Sequence, residues 1–220
     1  MNLIKATTIQ TAAIRTLVEI LKDVLTDVNI IFDENGIKIL AMDGAHVTLL
    51  HLKLQASKFE EYYCKQKTIV GVSIIQLHKL IKTIGNNDTI TFYVEEERSN
   101  ELGIKINNSD RNFITEFHLK LLDLDEEEIR VPDVEINCII TLPSHDLQRL
   151  CRDMSHISDT VVITSNEDTL QFKCEGEFAS QQTIIGETSH GLTFSKRDKE
   201  VIEGRFSLKY LNLFTKTTNL

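Results

Sequence analysis

A dense acidic segment at residues 121–135 lies between two halves of the chain that resemble each other, and it limits the possible folds more than any other feature. The segment reads LLDLDEEEIRVPDVE and holds seven acidic residues against the single Arg130. It contributes −6 to a net charge of −9. Because a charge run of this density resists burial, it predicts a solvated connector between a domain at residues 1–120 and another at residues 136–220.

The last part of the connector differs from its acidic part. Ile129 and Val131 are apolar and stand just before Pro132. A spacer that only crosses solvent needs no such side chains. We interpret the acidic part as a solvated connector and the Ile-x-Val-Pro end as a segment that lies on a protein surface.

Each half contains two stretches with the apolar spacing of an amphipathic helix. They lie at residues 11–25 and 73–84 in the first half, and at residues 144–154 and 207–216 in the second. The second and fourth stretches match each other at a constant offset of 134 residues. Such duplication fixes the architecture. We expect an α+β fold of two similar domains, each with two helices packed on antiparallel sheets.

Strand-like runs fill the rest of both halves. Asn35-Gly36 predicts a hairpin turn between strands at residues 28–33 and 37–42. The first half continues after its second helix with three more strands, whereas the second half ends at Leu220 with no counterpart to them. We therefore expect a second domain without its last strands, which means either that the chain is truncated or that the second domain has an open sheet edge.

The sequence argues against membrane, secreted and metal-binding proteins. No apolar run reaches the roughly 18 residues that span a bilayer, and the amino terminus lacks the apolar core of a signal peptide. The seven histidines have no metal-ligand spacing. The four cysteines also lack it, and we expect reduced thiols in an intracellular protein at Cys64, Cys138, Cys151 and Cys174.

Catalytic motifs are also missing from the sequence. It has no phosphate-binding loop, no Gly-x-Ser-x-Gly, no His-Glu-x-x-His and no dinucleotide-binding fingerprint. The carboxylate runs at residues 95–97 and 123–128 lack the glycine and alternating ligands of a calcium loop. We therefore predict a protein that is not an enzyme, with no catalytic residue, no cofactor and no metal.

Basic residues recur on all four predicted helices at spacings of three or seven, which put each pair on one helix face. A row of Lys and Arg without a base-reading motif suits phosphate contacts that carry no sequence information. The ordinary alternative is that paired Lys and Arg residues on an exposed helix face are only solvated and contact no partner. The four pairs are Arg15 and Lys22, Lys79 and Lys82, Arg149 and Arg152, and Lys209 and Lys216.

Four segments resemble one known family. They are MDGAHV at residues 42–47, LLDLDEEEIRVP at residues 121–132, LCRDMSHISD at residues 150–159 and KYLNLFTK at residues 209–216. In this order they are similar to proliferating cell nuclear antigen (PCNA), the eukaryotic sliding clamp family. The likeness extends from Leu3 to Leu220. It implies the DNA-clamp fold, in which three subunits close into a ring with their helices facing double-stranded DNA.

The resemblance also implies roles for individual residues. The basic helix residues would line the channel and contact DNA without sequence specificity, with Arg15 and Lys209 less well matched than the others. Subunit contact would involve a strand at the end of the first domain and one in the second domain. The corresponding residues are Phe113, Phe117 and Leu119, and Phe178, Ser180 and Ile184.

Partner proteins of this family bind under the connector through a short motif, Gln-x-x-apolar-x-x-aromatic-aromatic. DNA polymerase and the clamp loader would be such partners. The positions of this chain that match the family's partner-binding site are Met42, His46, Val47, Leu49, Ile129, Val131 and Pro132. The alternative for Met42, Val47 and Leu49 is that they belong to the core side of a strand.

The function that the resemblance implies is that of a homotrimeric polymerase processivity factor in the nucleus, or at a viral replication site. Two alternatives stay open on the sequence. One is a subunit of a heteromeric checkpoint-type clamp, which would co-purify with other clamp chains. The other is a metal-dependent DNA-processing enzyme that uses the acidic clusters, whose cleavage would be lost in Asp123→Ala.

Overall fold

The protein divides into two compact units at residues 130–131. Each unit is built from antiparallel sheets and two helices. The computed structural model describes residues 1–108, 111–125, 129, 135–166, 168–188, 191–196 and 201–219.

Nine strands and two α-helices make up the described part of the first unit. Short 3-10 turns follow β4 and β7. The elements are β1 (Asn2–Thr8), α1 (Thr11–Val24), β2 (Asp27–Asp33), β3 (Gly36–Met42), β4 (Leu49–Gln55), β5 (Glu61–Cys64), β6 (Thr68–Ser73), α2 (Ile74–Ile81), β7 (Asp88–Glu95), β8 (Glu101–Asn108) and β9 (Phe113–Lys120).

The strands of this unit form two antiparallel sheets. One has the order β5-β1-β7-β8-β9 and the other the order β4-β3-β2-β6. Apolar side chains alternate along most strands, as expected for sheets with one buried face. Their inner faces and the two helices enclose one core, in which Ile4, Val70, Ile90 and Ile104 are fully buried.

Helices α1 and α2 pack side by side and bury their apolar stripes in this core. Val18 and Leu21 supply the stripe of α1, and Leu77 and Ile81 that of α2. Thr11, which has the side chain of an N-cap residue, is instead the first residue of α1. Its hydroxyl donates to the Gly85 carbonyl oxygen at 2.8 Å.

The second unit repeats the pattern with six strands and two helices in its described part. One sheet has the order β13-β12-β11-β15, and β10 pairs with β14. Cys151, Met154, Phe172 and Leu208 form the centre of a separate core. The elements are β10 (Ile139–Thr141), α3 (Ser144–Ser155), β11 (Thr160–Ser165), β12 (Thr169–Glu175), β13 (Ser180–Gly186), β14 (Thr193–Lys196), β15 (Ile202–Ser207) and α4 (Leu208–Thr215).

The predicted α+β class, with two helices and antiparallel sheets in each half, is confirmed. The short strands β5, β10, β14 and β15 were not predicted. Three or four residues give little alternation in β5, β10 and β14, and β15 has Glu203, Gly204 and Arg205 in its centre. The limits 121–135 for the connector stay a prediction, since residues 126–128 and 130–134 lie outside the described residues. The ring and the missing strands stay predictions too.

Two other observations concern the described residues. None of their helices combines the length and apolar character that a bilayer crossing requires. All four cysteines are free thiols, and burial raises the pKa of the Cys151 thiol.

Candidate functional site

The connector begins as an extension of the second sheet of the first unit. The Leu122 backbone N–H donates to the Gly71 carbonyl oxygen at 2.8 Å, and the two residues form an antiparallel bridge. A Cβ atom at position 71 would stand 2.2 Å from the Leu122 carbonyl oxygen. Only glycine therefore allows the connector backbone to come this close to β6.

Asn29 holds the next residues of the connector. It lies directly opposite Gly71 in the β2–β6 pair. Its side-chain amide donates to the carbonyl oxygens of Leu124, at 3.4 Å, and Asp125, at 3.2 Å. Gly71 and Asn29 thus form a clasp that fixes residues 122–125 against the outer face of β2 and β6.

A groove of about 510 Å³ lies between the clasped connector and this outer sheet face. Ile31, Leu40 and Ile69 project outward from β2, β3 and β6 as its apolar floor. Met42 lies at one end, and the connector supplies Leu124 and Ile129 as a wall. Such a groove suits apolar side chains of a bound peptide, and its volume is in the range of about 300–1,000 Å³ typical of ligand sites.

The predicted partner-binding residues lie in and beside this groove. Met42 and Ile129 line it, whereas His46 and Val47 lie in the turn after β3 and Leu49 begins β4, outside the groove lining. Leu49 pairs with Met42 across β3 and β4. Val131 and Pro132 lie outside the described residues.

The turn between β3 and β4 is fixed by Asp43. Its carboxylate accepts hydrogen bonds from the backbone N–H groups of Val47, at 2.8 Å, and Thr48, at 2.7 Å. His46 adopts the left-handed conformation with φ 54°, which a turn of this shape requires. The Asp43 hydrogen bonds and the His46 backbone therefore define the turn that follows Met42, which is the residue of the Met-Asp-x-x-His-Val segment that lines the groove.

The floor of the groove was not predicted. Ile31, Leu40 and Ile69 were assigned to strands and counted only as strand residues. A signal for them does exist, because Ile30-Ile31 and Ile39-Leu40 place apolar side chains on both faces of their strands. A strand that is apolar on both faces needs a second apolar partner besides the core.

The two strands predicted for subunit contact lie at sheet edges in the described part of their units. Phe113 on β9 is 46% exposed and Ile184 on β13 is 58% exposed. Phe178 is 78% exposed but precedes β13, which begins at Ser180. A water-exposed apolar edge is a pairing surface for another chain.

Phe117 and Leu119 of β9 face the core of their own unit. Phe117 is half-buried, and Leu119 is buried with 6% of its surface exposed. Leu119 can contribute to an edge-to-edge contact only through its backbone. A cavity of about 640 Å³ opens beside β9, with Phe113 and Phe117 on one side and Asn86 and Asp88 on the other.

The predicted DNA-contacting residues differ in their surroundings. Lys79 is exposed on α2, Lys82 is exposed at the end of α2, and Arg152 is exposed on α3. Arg149 is exposed near Asp146 of the same helix, with 3.6 Å between charged atoms. Lys22 is half-buried and 3.3 Å from the Asp23 carboxylate.

The other three predicted DNA-contacting residues, Arg15, Lys209 and Lys216, differ from one another in their contacts. The Arg15 guanidinium donates to the Ile84 carbonyl oxygen and to the Asn86 side chain, so it holds the loop after α2. A phosphate contact by Arg15 would require breaking these bonds. Lys209 lies over the Tyr210 ring at 5.7 Å, and Lys216 is exposed just after α4.

The acidic runs do not assemble into a metal site within the described residues, where no three His, Cys, Asp or Glu side chains converge. In the first run, Glu96 pairs with Lys65. A hydrogen bond from Lys65 lowers the pKa of Glu96, so this carboxylate is ionised and engaged with a cation of its own chain.

Both halves of the chain match models of one protein family. The family model "Proliferating cell nuclear antigen, N-terminal domain" matches residues 3–129, and "Proliferating cell nuclear antigen, C-terminal domain" matches residues 130–220. The resemblance noted from the four segments is thereby confirmed.

Two relatives align along nearly the whole chain. One is "Probable DNA polymerase sliding clamp 1" of Paramecium bursaria Chlorella virus 1, 39% identical over 217 residues, which are 97% of this chain and 82% of the viral protein. The other is "Proliferating cell nuclear antigen" of Dictyostelium discoideum, 31% identical over 221 residues, which cover 98% of this chain and 86% of that protein. Both halves match in order, and this chain therefore belongs to the proliferating cell nuclear antigen family.

Proposed function

We propose that this chain is a DNA sliding clamp, a processivity factor that tethers DNA polymerase to duplex DNA and catalyses no reaction itself. The observation that carries the proposal is the match of both halves to the two domains of the PCNA family. The viral relative, which is named a sliding clamp, aligns with 97% of the chain. The site of action is a replication site, in the nucleus or in a virus-infected cell.

The groove under the connector is the proposed docking site for polymerase, clamp loader and other proteins with the Gln-x-x-apolar-x-x-aromatic-aromatic motif. Its support is the apolar floor of Ile31, Leu40 and Ile69 beside a clasped connector. Aliphatic and aromatic anchors buried in such a groove dominate the affinity of short peptides.

The proposed assembly is a homotrimeric ring in which β9 of one copy pairs with β13 of the next. Exposed apolar residues on both edges support it, namely Phe113 and Ile114 on one side and Ile184 on the other. The cavity beside β9 offers room for side chains of the adjoining copy. Light scattering should give about three times the chain mass of 25.1 kDa.

The exposed basic residues of the helices are the proposed DNA-contacting group. The chain carries a net charge of −9, so its surface as a whole repels DNA. A few exposed Lys and Arg side chains on the helices then favour phosphate contacts there without fixing a sequence. This arrangement suits a protein that slides along a duplex.

The experiment compares two double variants in a primer-extension assay with the loaded clamp. Lys82→Ala with Arg152→Ala should reduce processivity equally on templates of different sequence, and should lower the salt slope of DNA binding by about two for each subunit that contacts the duplex. Lys53→Ala with Lys105→Ala removes the same charge from exposed outer strand positions and should leave both unchanged. A strong sequence preference of the wild-type protein would contradict the proposal.

A further inference from the structure

Tyr93 of β7 reaches across its neighbour β8 towards the edge strand β9. The three strands are adjacent in the order β7-β8-β9, and Tyr93 lies opposite Gly103, which lies opposite His118. A Cβ atom at position 103 would stand 2.2 Å from the Tyr93 ring. The ring therefore occupies the space that a side chain on β8 would fill.

The far end of the Tyr93 side chain contacts β9 at two positions. Its hydroxyl donates to the Glu116 carboxylate at 2.6 Å. Its ring meets the His118 ring edge to face, with 6.4 Å between centroids and 87° between planes. A residue on β7 thus holds two residues of a strand with which it has no backbone pairing.

The hydrogen bond from the Tyr93 hydroxyl to the Glu116 carboxylate is a strong one. Burial, and then the Glu116 carboxylate, raises the pKa of Tyr93, so the phenol keeps its proton throughout the neutral range. A neutral hydroxyl that donates to a carboxylate makes a short and strong bond. His118 is held in turn near Glu101, with 3.7 Å between Nδ1 and the carboxylate.

Edge strands need such support more than central strands. In the described residues β9 pairs with β8 alone, so half of its backbone groups depend on water or on another chain. Pairing with a second copy requires those groups to stand in one orientation along the whole strand. Side-chain contacts on one face of β9 restrict its twist and its fraying before a partner arrives.

We propose that Tyr93 and Gly103 form a brace that holds β9 in the conformation needed for association with another copy of this chain. Tyr93 is then a positioning residue that acts through β9. The inference rests on the proposed subunit contact at β9, and it adds a residue two strands away from the contact. Gly103 has its role because any side chain there would displace the ring.

The test measures self-association of the full chain by sedimentation equilibrium, together with amide hydrogen exchange and thermal unfolding. Tyr93→Ala should weaken association about tenfold, the factor that corresponds to the loss of one charge-assisted hydrogen bond. It should also speed exchange in β9 without changing exchange in β1. Tyr93→Phe keeps the ring over Gly103 and should show a smaller loss.

Two further variants keep the test decisive. Tyr63→Ala is the matched control, because Tyr63 is a 45% exposed tyrosine on β5, at the other edge of the same sheet. It should associate like the wild type. Glu116→Ala removes the acceptor of the Tyr93 hydrogen bond from an exposed position without changing the core. If Tyr93→Ala does not fold, the self-association of Glu116→Ala tests the proposal.

The possible failures are distinguishable. A wild-type chain that stays monomeric at every concentration overturns the proposed subunit contact, and the brace with it. A wild type that associates, with Tyr93→Ala and Glu116→Ala associating equally well, overturns the brace alone. Faster exchange spread evenly over β1, β7 and β9 would also overturn it, because Tyr93 would then support the sheet as a whole.

Discussion

Leu122 and Gly71 are joined by a 2.8 Å hydrogen bond from the Leu122 backbone N–H to the Gly71 carbonyl oxygen. This bond adds one residue of the connector to the edge of the sheet β4-β3-β2-β6. The acidic connector therefore does not leave the first unit at the end of β9. It first covers part of an apolar sheet face. The groove exists because the connector lies over this face.

Replacing Gly71 by alanine should displace the connector. The new Cβ atom would meet the Leu122 carbonyl oxygen at 2.2 Å, which neither backbone can accommodate without moving. We expect a loss of about 1–3 kcal/mol in the free energy of unfolding and weaker binding of a motif peptide. Gly186→Ala is the control, since no atom lies within 4 Å of its added Cβ and it is not part of the groove lining. Calorimetry and fluorescence anisotropy would measure the two effects, and equal behaviour of the two variants would refute this account.

Asn29→Ala should release the connector while keeping the sheet intact. The variant loses the two amide hydrogen bonds to Leu124 and Asp125, each worth about 0.5–1.5 kcal/mol. Motif-peptide affinity should fall about three- to tenfold, and amide exchange at residues 121–125 should rise. Asn107→Ala, at an exposed position on β8, should change neither. Unchanged exchange at residues 121–125 in Asn29→Ala would show that the clasp does not depend on this amide.

Arg15→Ala should mainly reduce stability, whereas Lys79→Ala should mainly weaken DNA binding. Arg15 bonds to Ile84 and Asn86, so its loss should reduce the free energy of unfolding by about 1–3 kcal/mol. Lys79 is exposed, and its loss should leave thermal stability alone but weaken DNA binding. Thermal unfolding and a DNA-binding titration across salt would separate the roles. A stable Arg15→Ala variant with weakened DNA binding would assign Arg15 to the DNA-contacting group.

Asp33 should make stability depend on acid pH. A hydrogen bond from Lys38 lowers the pKa of this carboxyl group, helped by the N–H groups of Asn35 and Gly36. Because the folded pKa lies below the unfolded value of about 3.9, the stabilisation is complete above that value. It is lost as the pH falls through the folded pKa.

Asp33→Asn should therefore flatten the stability profile at acid pH. The difference in unfolding free energy from the wild type should be largest near neutral pH and shrink below about pH 4. Lys38→Met removes the main partner and should give a similar profile. Urea unfolding at several pH values would measure it, and parallel curves for wild type and Asp33→Asn would disprove the role of this carboxyl group.

Much of the architecture could be predicted from local patterns. The apolar spacing in residues 11–25 and 144–154 predicts α1 and α3 almost to their ends, because the helix period is a property of a short segment. Asn35-Gly36 likewise predicts the β2–β3 turn. The four segments between residue 42 and residue 216, one of which is the acidic connector, were enough to identify the family.

The groove and the brace depend on contacts between residues far apart in the chain. The family resemblance predicts Met42 and Ile129 as partner-binding residues, and both line the groove, but the floor of Ile31, Leu40 and Ile69 requires knowing which strand face the connector covers. Gly71 and Gly103 look like ordinary strand glycines until Leu122 and Tyr93 are placed against them. Local periodicity reports which residues share a face, whereas only strand order and register decide what another part of the chain brings to that face.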